Sequence, residues 1–255
     1  MSGHPGVVVH HDAVDACRQL AAEIAAGIRQ RAAEGKRLVL GLATGSTPIP
    51  LYGELIRLHR EEGLSFANVV TFNLDEYQGL PADHEQSYHT FMRRRFFSQV
   101  DLPLHQAHLP GSMVAAEELQ SHCAAYEEAI EDAGGIDLQI LGIGRSGHIG
   151  FNEPPSSVDT VTRLVSLDPI TRRDAADLFG GLDQVPMKAI TMGVGTILRS
   201  RRIALLAWGE GKASIIARAL RESPSDDCPA THLHHHPNVT FILDVAASSQ
   251  LNGSQ

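Results

Sequence analysis

The chain has 255 residues, of which 43% are hydrophobic and 20% charged, and these proportions are ordinary for a folded globular protein. Its formal net charge of −9 argues against nucleic acid and an anionic membrane as partners, because both need basic protein surface to offset phosphate charge. Three scattered cysteines, no apolar run as long as a membrane span and no secretory signal predict a soluble protein in a reducing, cytoplasmic location.

Hydrophobic periodicity predicts helices and strands that alternate along the chain. Apolar residues at three- and four-residue spacing predict a helix between Asp12 and Ala33, with Asp12 as its N-cap and Gly35 beyond its end. The continuous apolar run from Leu38 to Ala43 suits a strand that is covered on both faces. The further predictions are helices over 48–62, 87–97, 115–133 and 212–221, and strands over 68–74, 136–143, 202–208 and 239–243.

The alternation of strands and helices is typical of an α/β fold with a mostly parallel sheet and helices on both faces. We see no internal repeat and no low-complexity linker, so residues 1–255 are predicted to form a single domain. Residues 154–188 have no clear period, and we expect a mobile segment over the ligand site there. In open α/β sheets ligands bind at the carboxyl ends of the strands, so polar residues that follow predicted strands are the candidates for a site.

The first candidate cluster follows the first of these strands. Thr44, Gly45, Ser46 and Thr47 precede Pro48, which opens a predicted helix. Glycine lets the backbone approach an anion closely, the first helical N–H groups have no internal partner, and the hydroxyls add donors. The spacing is not that of a P-loop. The cluster predicts an anion site, and the alternative is a capped strand-to-helix turn.

The second cluster is a pair of consecutive acids, Asp75 and Glu76, after the next predicted strand. A carboxylate at this position can take a proton from carbon, which is the step that starts an aldose–ketose isomerisation. The alternative is a polar loop whose acids cap the next helix or face water.

The third cluster is the segment GIGRSGHIGFNEP, which follows the strand over 136–143. Its glycines bend the backbone and keep side chains away from a ligand, while His148 and Glu153 project into the same region. Histidine can give and take a proton near neutral pH, and a nearby carboxylate can fix its tautomer. The G-x-G-x-x-G spacing of Gly142, Gly144 and Gly147 does not predict a dinucleotide site, because no helix with the usual acidic partner follows.

Together the three clusters resemble the glucosamine-6-phosphate deaminase (isomerase) family. The resemblance rests on LATGSTPIPLY, TFNLDEYQGL, LGIGRSGHIGFNEP and QVPMKAITMGVGTIL, and it covers roughly residues 35–245 in order. The related 6-phosphogluconolactonases share the glycine turn, but their loop continues differently after the histidine. The resemblance implies a three-layer αβα, Rossmann-like fold, no organic cofactor, and conversion of glucosamine 6-phosphate and water to fructose 6-phosphate and ammonia.

The resemblance also implies roles for individual residues. Asp75 would move the proton from C2 to C1, and His148 would open the pyranose ring with support from Glu153. The implied substrate contacts are Thr44, Gly45, Ser46, Thr47, Gly147 and the amine of Lys212.

Two positions depart from the family pattern. Ser146 stands where many members have Asp or Asn, so any acid that acts on the loop histidine must be Glu153 or water. Asp177 stands where the family usually has a phosphate-binding arginine, and an acid there would repel a phosphate. Either Arg172 or Arg173 contacts the phosphate instead, or the substrate differs at that end.

The histidine-rich segment THLHHHP does not predict a metal site. Neighbouring histidines in a loop seldom converge on one ion, so we expect a solvated loop before the last strand and no metal. The histidines concerned are His232, His234, His235 and His236.

Two other functions remain as alternatives to the deaminase, namely a 6-phosphogluconolactonase-type hydrolase and a non-catalytic sugar-phosphate-binding protein. The presence of Asp75, His148 and Glu153 together favours catalysis, since binding alone does not require all three. A small sugar phosphate is the predicted partner. Because members of the family often form oligomers, the resemblance also implies a homo-oligomer.

Overall fold

The structure is a computed structural model that describes residues 5–251. Its β-strands are β1 Gly6–His10, β2 Leu38–Leu42, β3 Val69–Asn73, β4 Asp75–Gln78, β5 Ala107–His108, β6 Leu138–Leu141, β7 Arg163–Ser166, β8 Lys188–Thr191, β9 Ile203–Ala207 and β10 Val239–Asp244. Its α-helices are α1 Ala13–Ala33, α2 Ile49–Glu62, α3 Tyr88–Arg95, α4 Leu119–Asp132, α5 Pro169–Phe179, α6 Val194–Leu198 and α7 Ala213–Arg221. No helix within the described residues is long and apolar enough to cross a membrane.

Seven strands form one sheet in the order β1-β10-β9-β6-β2-β3-β5, and each neighbouring pair is parallel. Strands β2, β3 and β9 are buried along their whole length, as strands covered on both faces are. The predicted α/β class and mostly parallel sheet are therefore confirmed. The other three strands form an antiparallel sheet in the order β4-β8-β7, which the sequence analysis did not predict.

Alternate side chains of β2 enter two different hydrophobic cores. Leu38, Leu40 and Leu42 pack in a core that includes residues of α1 and α2. Val39 packs in a second core, which includes residues of α4 and α7. Since successive side chains of a strand point to opposite faces, the sheet lies between two layers of helices, as the three-layer prediction requires.

The ends of α1 lie where the sequence predicts them. Asp12 is the N-cap, and its side chain accepts a hydrogen bond from the backbone N–H of Asp15 at 2.8 Å. Gly35 follows the helix with a φ of 66°, a left-handed conformation that glycine adopts at little cost.

Residues 154–188, for which the sequence indicated no particular element, contain β7 and α5. Helix α5 buries none of its residues fully, which explains why its hydrophobic period is weak. Its ends nevertheless carry ordinary signals: Asp168 is the N-cap, Pro169 opens the first turn, and Gly180 ends the helix in the left-handed conformation. The predicted mobility of the segment stays a prediction.

The histidine-rich segment is a short 3-10 helix over Pro229–His235 and not a solvated loop. His232 and His236 are both buried. A ring nitrogen of His232 lies 2.9 Å from a carboxylate oxygen of Asp226, so the segment packs through local hydrogen bonds. Across residues 5–251 there is no group of three or more His, Cys, Asp or Glu side chains placed to hold a metal ion.

Candidate active site

A cavity of about 440 Å³ lies where β2, β3 and β6 end. This is the carboxyl edge of the parallel sheet, where ligands bind in open α/β folds. The cavity brings together members of all three clusters that the sequence analysis singled out. The predicted site residues that line it are Thr44, Gly45, Ser46, Thr47, Asp75, His148 and Lys212.

The turn between β2 and α2 forms one wall of this cavity. Gly45 has a φ of 89°, which favours glycine at this position. The indole N–H of Trp208 donates to the backbone carbonyl of Thr47 at 2.9 Å and holds the turn. Within residues 5–251, no hydrogen bond uses the backbone N–H groups of Gly45, Ser46 or Thr47 as donors. Free backbone N–H groups in a glycine-containing turn that leads into a helix, together with hydroxyls, are suited to bind an anion.

Asp75 is the buried acid of the cavity, with only 5% of its surface exposed. It opens β4 and pairs with Thr191 of β8, so it does not lie in the polar loop that the sequence analysis considered. Gly150 has a φ of 56°, and a Cβ atom there would lie 3.3 Å from a carboxylate oxygen of Asp75. Burial, and then the neighbouring charge of Glu76, raise the pKa of Asp75 to about 8.

Glu76 has a different role from its neighbour, since it is fully buried and bound to the start of α3. Its carboxylate accepts hydrogen bonds from the backbone N–H groups of Tyr88, at 3.1 Å, and of His89, at 2.9 Å. The His89 ring nitrogen Nδ1 lies 2.8 Å from the same carboxylate. The helix-capping alternative is therefore correct for Glu76, and Asp75 is the acid that faces the cavity.

His148 lies against the backbone of Gly144. A Cβ atom at Gly144 would come within 2.0 Å of the imidazole ring, so only glycine leaves room for it. Burial, and then the positive charge of Lys212, lower the pKa of His148 to about 4, which keeps the ring neutral near pH 7. Its Nδ1 lies 3.0 Å from the hydroxyl oxygen of Ser146. Ser146 thus supplies the hydrogen-bond partner that the sequence analysis sought in Glu153 or water.

Glu153 does not line this cavity, and within residues 5–251 no hydrogen bond joins it to His148. Its carboxylate accepts a hydrogen bond from the backbone N–H of Asp168, the N-cap of α5. Burial raises the pKa of Glu153. The expected support of His148 by Glu153 is therefore corrected: Glu153 contacts the start of α5.

Gly147 is the other predicted residue outside the cavity lining. Its φ is 84°, and a Cβ atom there would lie 2.4 Å from the sulfur of Cys228. The structure therefore explains this glycine by close packing and by backbone conformation, and not by contact with the cavity.

Besides His148, two basic side chains, Arg145 and Lys212, line the cavity within the described residues. The amine of Lys212 donates to the backbone carbonyl of Ile143 at 2.7 Å. Burial, and then the charge of Arg145, lower the pKa of Lys212. The Nε atom of Arg145 lies 3.6 Å from a carboxylate oxygen of Asp174.

The basic residues of α5 do not take the place of the missing arginine. Arg172 donates hydrogen bonds to the backbone carbonyls of Leu182 and Val185, each at 3.0 Å, and it does not line the cavity. Arg173 is exposed and also lies outside the lining, as does Asp177.

The sequence predictions did not include three polar residues that line the cavity: Arg145, Thr171 and Asp174. Arg145 could have been found, because it lies in the glycine loop three residues before His148. Thr171 and Asp174 could not have been found, because they belong to α5, a helix that was not predicted from the sequence.

Residues 11–242 match the family described as glucosamine-6-phosphate isomerases/6-phosphogluconolactonase. The chain belongs to this family. It is 51% identical over 235 residues to a glucosamine-6-phosphate deaminase of Corynebacterium urealyticum, which covers 92% of this chain and 90% of that relative. It is 50% identical over 211 residues to a glucosamine-6-phosphate deaminase of Geobacillus sp., which covers 83% of each.

Solved structures of the isomerase/lactonase family show the same fold. A structure described as a monomeric glucosamine-6-phosphate deaminase matches with a TM-score of 0.90 and 42% identity, covering 96% of this chain and 99% of that one. A 6-phosphogluconolactonase from Trypanosoma brucei matches with a TM-score of 0.77 and 20% identity, covering 97% and 98%. The similarity to the lactonase shows a shared fold and nothing more.

Proposed function

We propose that this protein is a glucosamine-6-phosphate deaminase, which converts glucosamine 6-phosphate and water to fructose 6-phosphate and ammonia. The observation that carries the proposal is that Asp75 and His148 share one cavity with Lys212 and with the turn before α2, which has free backbone N–H groups. A proton-transfer pair beside an anion site is what an aldose–ketose isomerisation of a sugar phosphate needs. The deaminase relatives at 50% and 51% identity support the same reaction.

The reaction begins with ring opening, in which a proton leaves the C1 hydroxyl and another reaches the ring oxygen. Neutral His148 is suited to this exchange, because one ring nitrogen can accept a proton while the other is held by Ser146. Burial and Lys212 keep the pKa of His148 low, so the ring does not retain the proton that it accepts.

The proton transfer between carbons is assigned to Asp75. Its ionised carboxylate takes the proton from C2 of the open-chain aldehyde. The C1–C2 double bond forms as the C1–O π bond breaks, and O1 takes a proton from solvent, which gives an enolamine. Return of that proton to C1 makes C2 an iminium carbon, which water converts to the ketone as ammonia leaves. A base with a pKa near the working pH is efficient in both directions of such a transfer, and that of Asp75 is about 8.

The experiment that tests the function is direct. Purified protein is incubated with glucosamine 6-phosphate without added metal or nucleotide, and ammonia and fructose 6-phosphate are measured together. We expect equal amounts of both products. The Asp75→Asn variant should bind the substrate but lose turnover by about 10²- to 10⁴-fold, because a carboxamide cannot accept the proton.

Other outcomes would contradict the proposal. Hydrolysis of 6-phosphogluconolactone without release of ammonia from the amino sugar would favour the lactonase alternative. Binding of sugar phosphates with no turnover of either substrate would favour the non-catalytic alternative.

We further propose that residues 1–255 act as one domain in the cytoplasm, a location that the free cysteines Cys17, Cys123 and Cys228 support. A homo-oligomer stays a prediction. The solved deaminase relative with 42% identity is described as monomeric, so light scattering of this protein would decide between the two states.

A further inference from the structure

The anionic end of the substrate needs more than the amine of Lys212. A sugar phosphate carries close to two negative charges near neutral pH, and the α5 arginine that the family resemblance implies is absent here. The arginines of α5 cannot replace it from their present positions, because Arg172 is bound to two backbone carbonyls and Arg173 lies outside the cavity.

We propose that Arg145, together with Lys212, binds the phosphate and makes the enzyme prefer a phosphorylated sugar. The identity of the sugar rests on the proposed function, whereas the binding of a phosphate group by Arg145 does not depend on it. Arg145 lines the cavity from the loop after β6, which also carries His148, and its side chain is largely exposed. The phosphate contact has thus moved from α5 to the glycine loop.

The geometry of Arg145 suits this role. Its guanidinium makes no hydrogen bond within residues 5–251, and its contact there is the 3.6 Å approach of Nε to Asp174. Asp174 faces the Nε side of the guanidinium, which leaves the two terminal nitrogens available. Those nitrogens can contact two oxygens of one phosphate, whereas the Lys212 ammonium provides a single point charge.

The charges in the cavity also favour an anion between Arg145 and Lys212. The two cations repel each other, and this repulsion contributes to the lowered pKa of Lys212. A dianion placed between them removes that repulsion. The free N–H groups of Ser46 and Thr47 line the same cavity and can complete the set of donors.

The test uses inorganic phosphate and the substrate with the Arg145→Gln variant. We expect the dissociation constant of phosphate, measured by calorimetry, to rise by about 10- to 100-fold, as for the loss of a charge-assisted bidentate contact. The KM for glucosamine 6-phosphate should rise by a similar factor with little change in kcat, because the contact is remote from C1 and C2.

Two further variants complete the design. Arg145→Lys should recover part of the affinity, because the charge returns without the paired donors. Arg173→Gln is the matched control, since this arginine has the same charge on the neighbouring helix but lies outside the cavity lining, and it should bind phosphate as the wild type does.

Equal phosphate affinity of the wild type and the Arg145→Gln variant would overturn the inference, as would a wild-type protein that does not bind phosphate saturably. Because phosphate binding needs no turnover, failure of the proposed reaction is recognised separately. A wild-type protein that binds phosphate through Arg145 but releases no ammonia would contradict the deaminase function and leave the Arg145 assignment in place.

Discussion

The carboxylate of Asp75 is subject to opposing requirements. Its burial beside Glu76 favours the protonated acid and raises its pKa to about 8, whereas removal of a proton from carbon requires the ionised form. At neutral pH a minority of the molecules carry the ionised base. A base of this strength also keeps the proton that it takes from C2 long enough to deliver it to C1.

The pH profile of kcat/KM should report this pKa. Below about pH 8 the ionised fraction of Asp75 falls, so kcat/KM should drop by about tenfold per pH unit and level off above pH 8. His148, with a pKa of about 4, stays neutral and adds no step in this range. Steady-state rates between pH 5 and pH 9 provide the measurement, and a profile that is flat down to pH 5 would contradict the assignment.

The same pKa makes a prediction about stability. Asp75 keeps its proton up to about pH 8 in the native state, whereas in the unfolded chain it loses the proton near pH 4. The contribution of this proton to the free energy of unfolding is therefore complete below pH 4 and is lost as the pH rises to 8. Asp75→Asn should therefore have a higher melting temperature than the wild type at pH 8, and the gap should shrink at pH 5. Asp177→Asn, at an exposed acid, is the control without a pH-dependent gap.

The glycine loop after β6 positions His148 by steric fit. In Gly144→Ala, the new Cβ atom would come within 2.0 Å of the imidazole ring and force it to move, so we expect a loss of kcat of at least about 10²-fold with the fold retained. Gly142→Ala is the matched control, since its Cβ atom would meet Thr47 at an ordinary 3.9 Å. Comparison of kcat and of circular dichroism for the two variants tests the prediction, and equal activities would refute it.

Helix α5 lines part of the site, and Glu153 binds the backbone of its N-cap residue, Asp168. Glu153→Ala removes the acceptor for the Asp168 N–H at the start of α5, so α5 should loosen and KM should rise, because Thr171 and Asp174 of this helix line the cavity. We expect kcat to change by less than about tenfold, since Glu153 does not contact His148. A loss of kcat as large as that of Asp75→Asn would instead indicate that Glu153 takes part in the chemistry.

The two cores on opposite faces of the sheet carry most of the stability of the fold. Leu205 of β9 is fully buried in the core that includes α4 and α7. Leu205→Ala should lower the free energy of unfolding by about 2–5 kcal/mol, measured by urea denaturation. Leu178→Ala, at a leucine of α5 that is 67% exposed, should change it by less than about 0.5 kcal/mol. A similar loss for both variants would mean that the sheet does not form the core described above.

Much of the fold followed from local patterns in the sequence. Helix α1 and strand β2 were predicted because their apolar spacing reflects one buried stripe and two buried faces. Strand β1 was missed, because four of its five residues are exposed at the edge of the sheet and its short apolar run has no alternation. Helix α5 was missed because it buries no residue fully, although its capping signals were present.

The chemistry of the site was also readable from residue types: an acid and a histidine after strands, beside a glycine turn that opens a helix. The sequence could not predict which way each side chain points or which distant residues it contacts. Asp75 faces the cavity and Glu76 caps α3, although both follow the same strand, because the pairing of β4 with β8 sends adjacent side chains to opposite sides. Glu153 contacts the start of α5, and Arg145 lines the cavity. Such contacts depend on how separate segments of the chain pack together, which local sequence patterns do not predict.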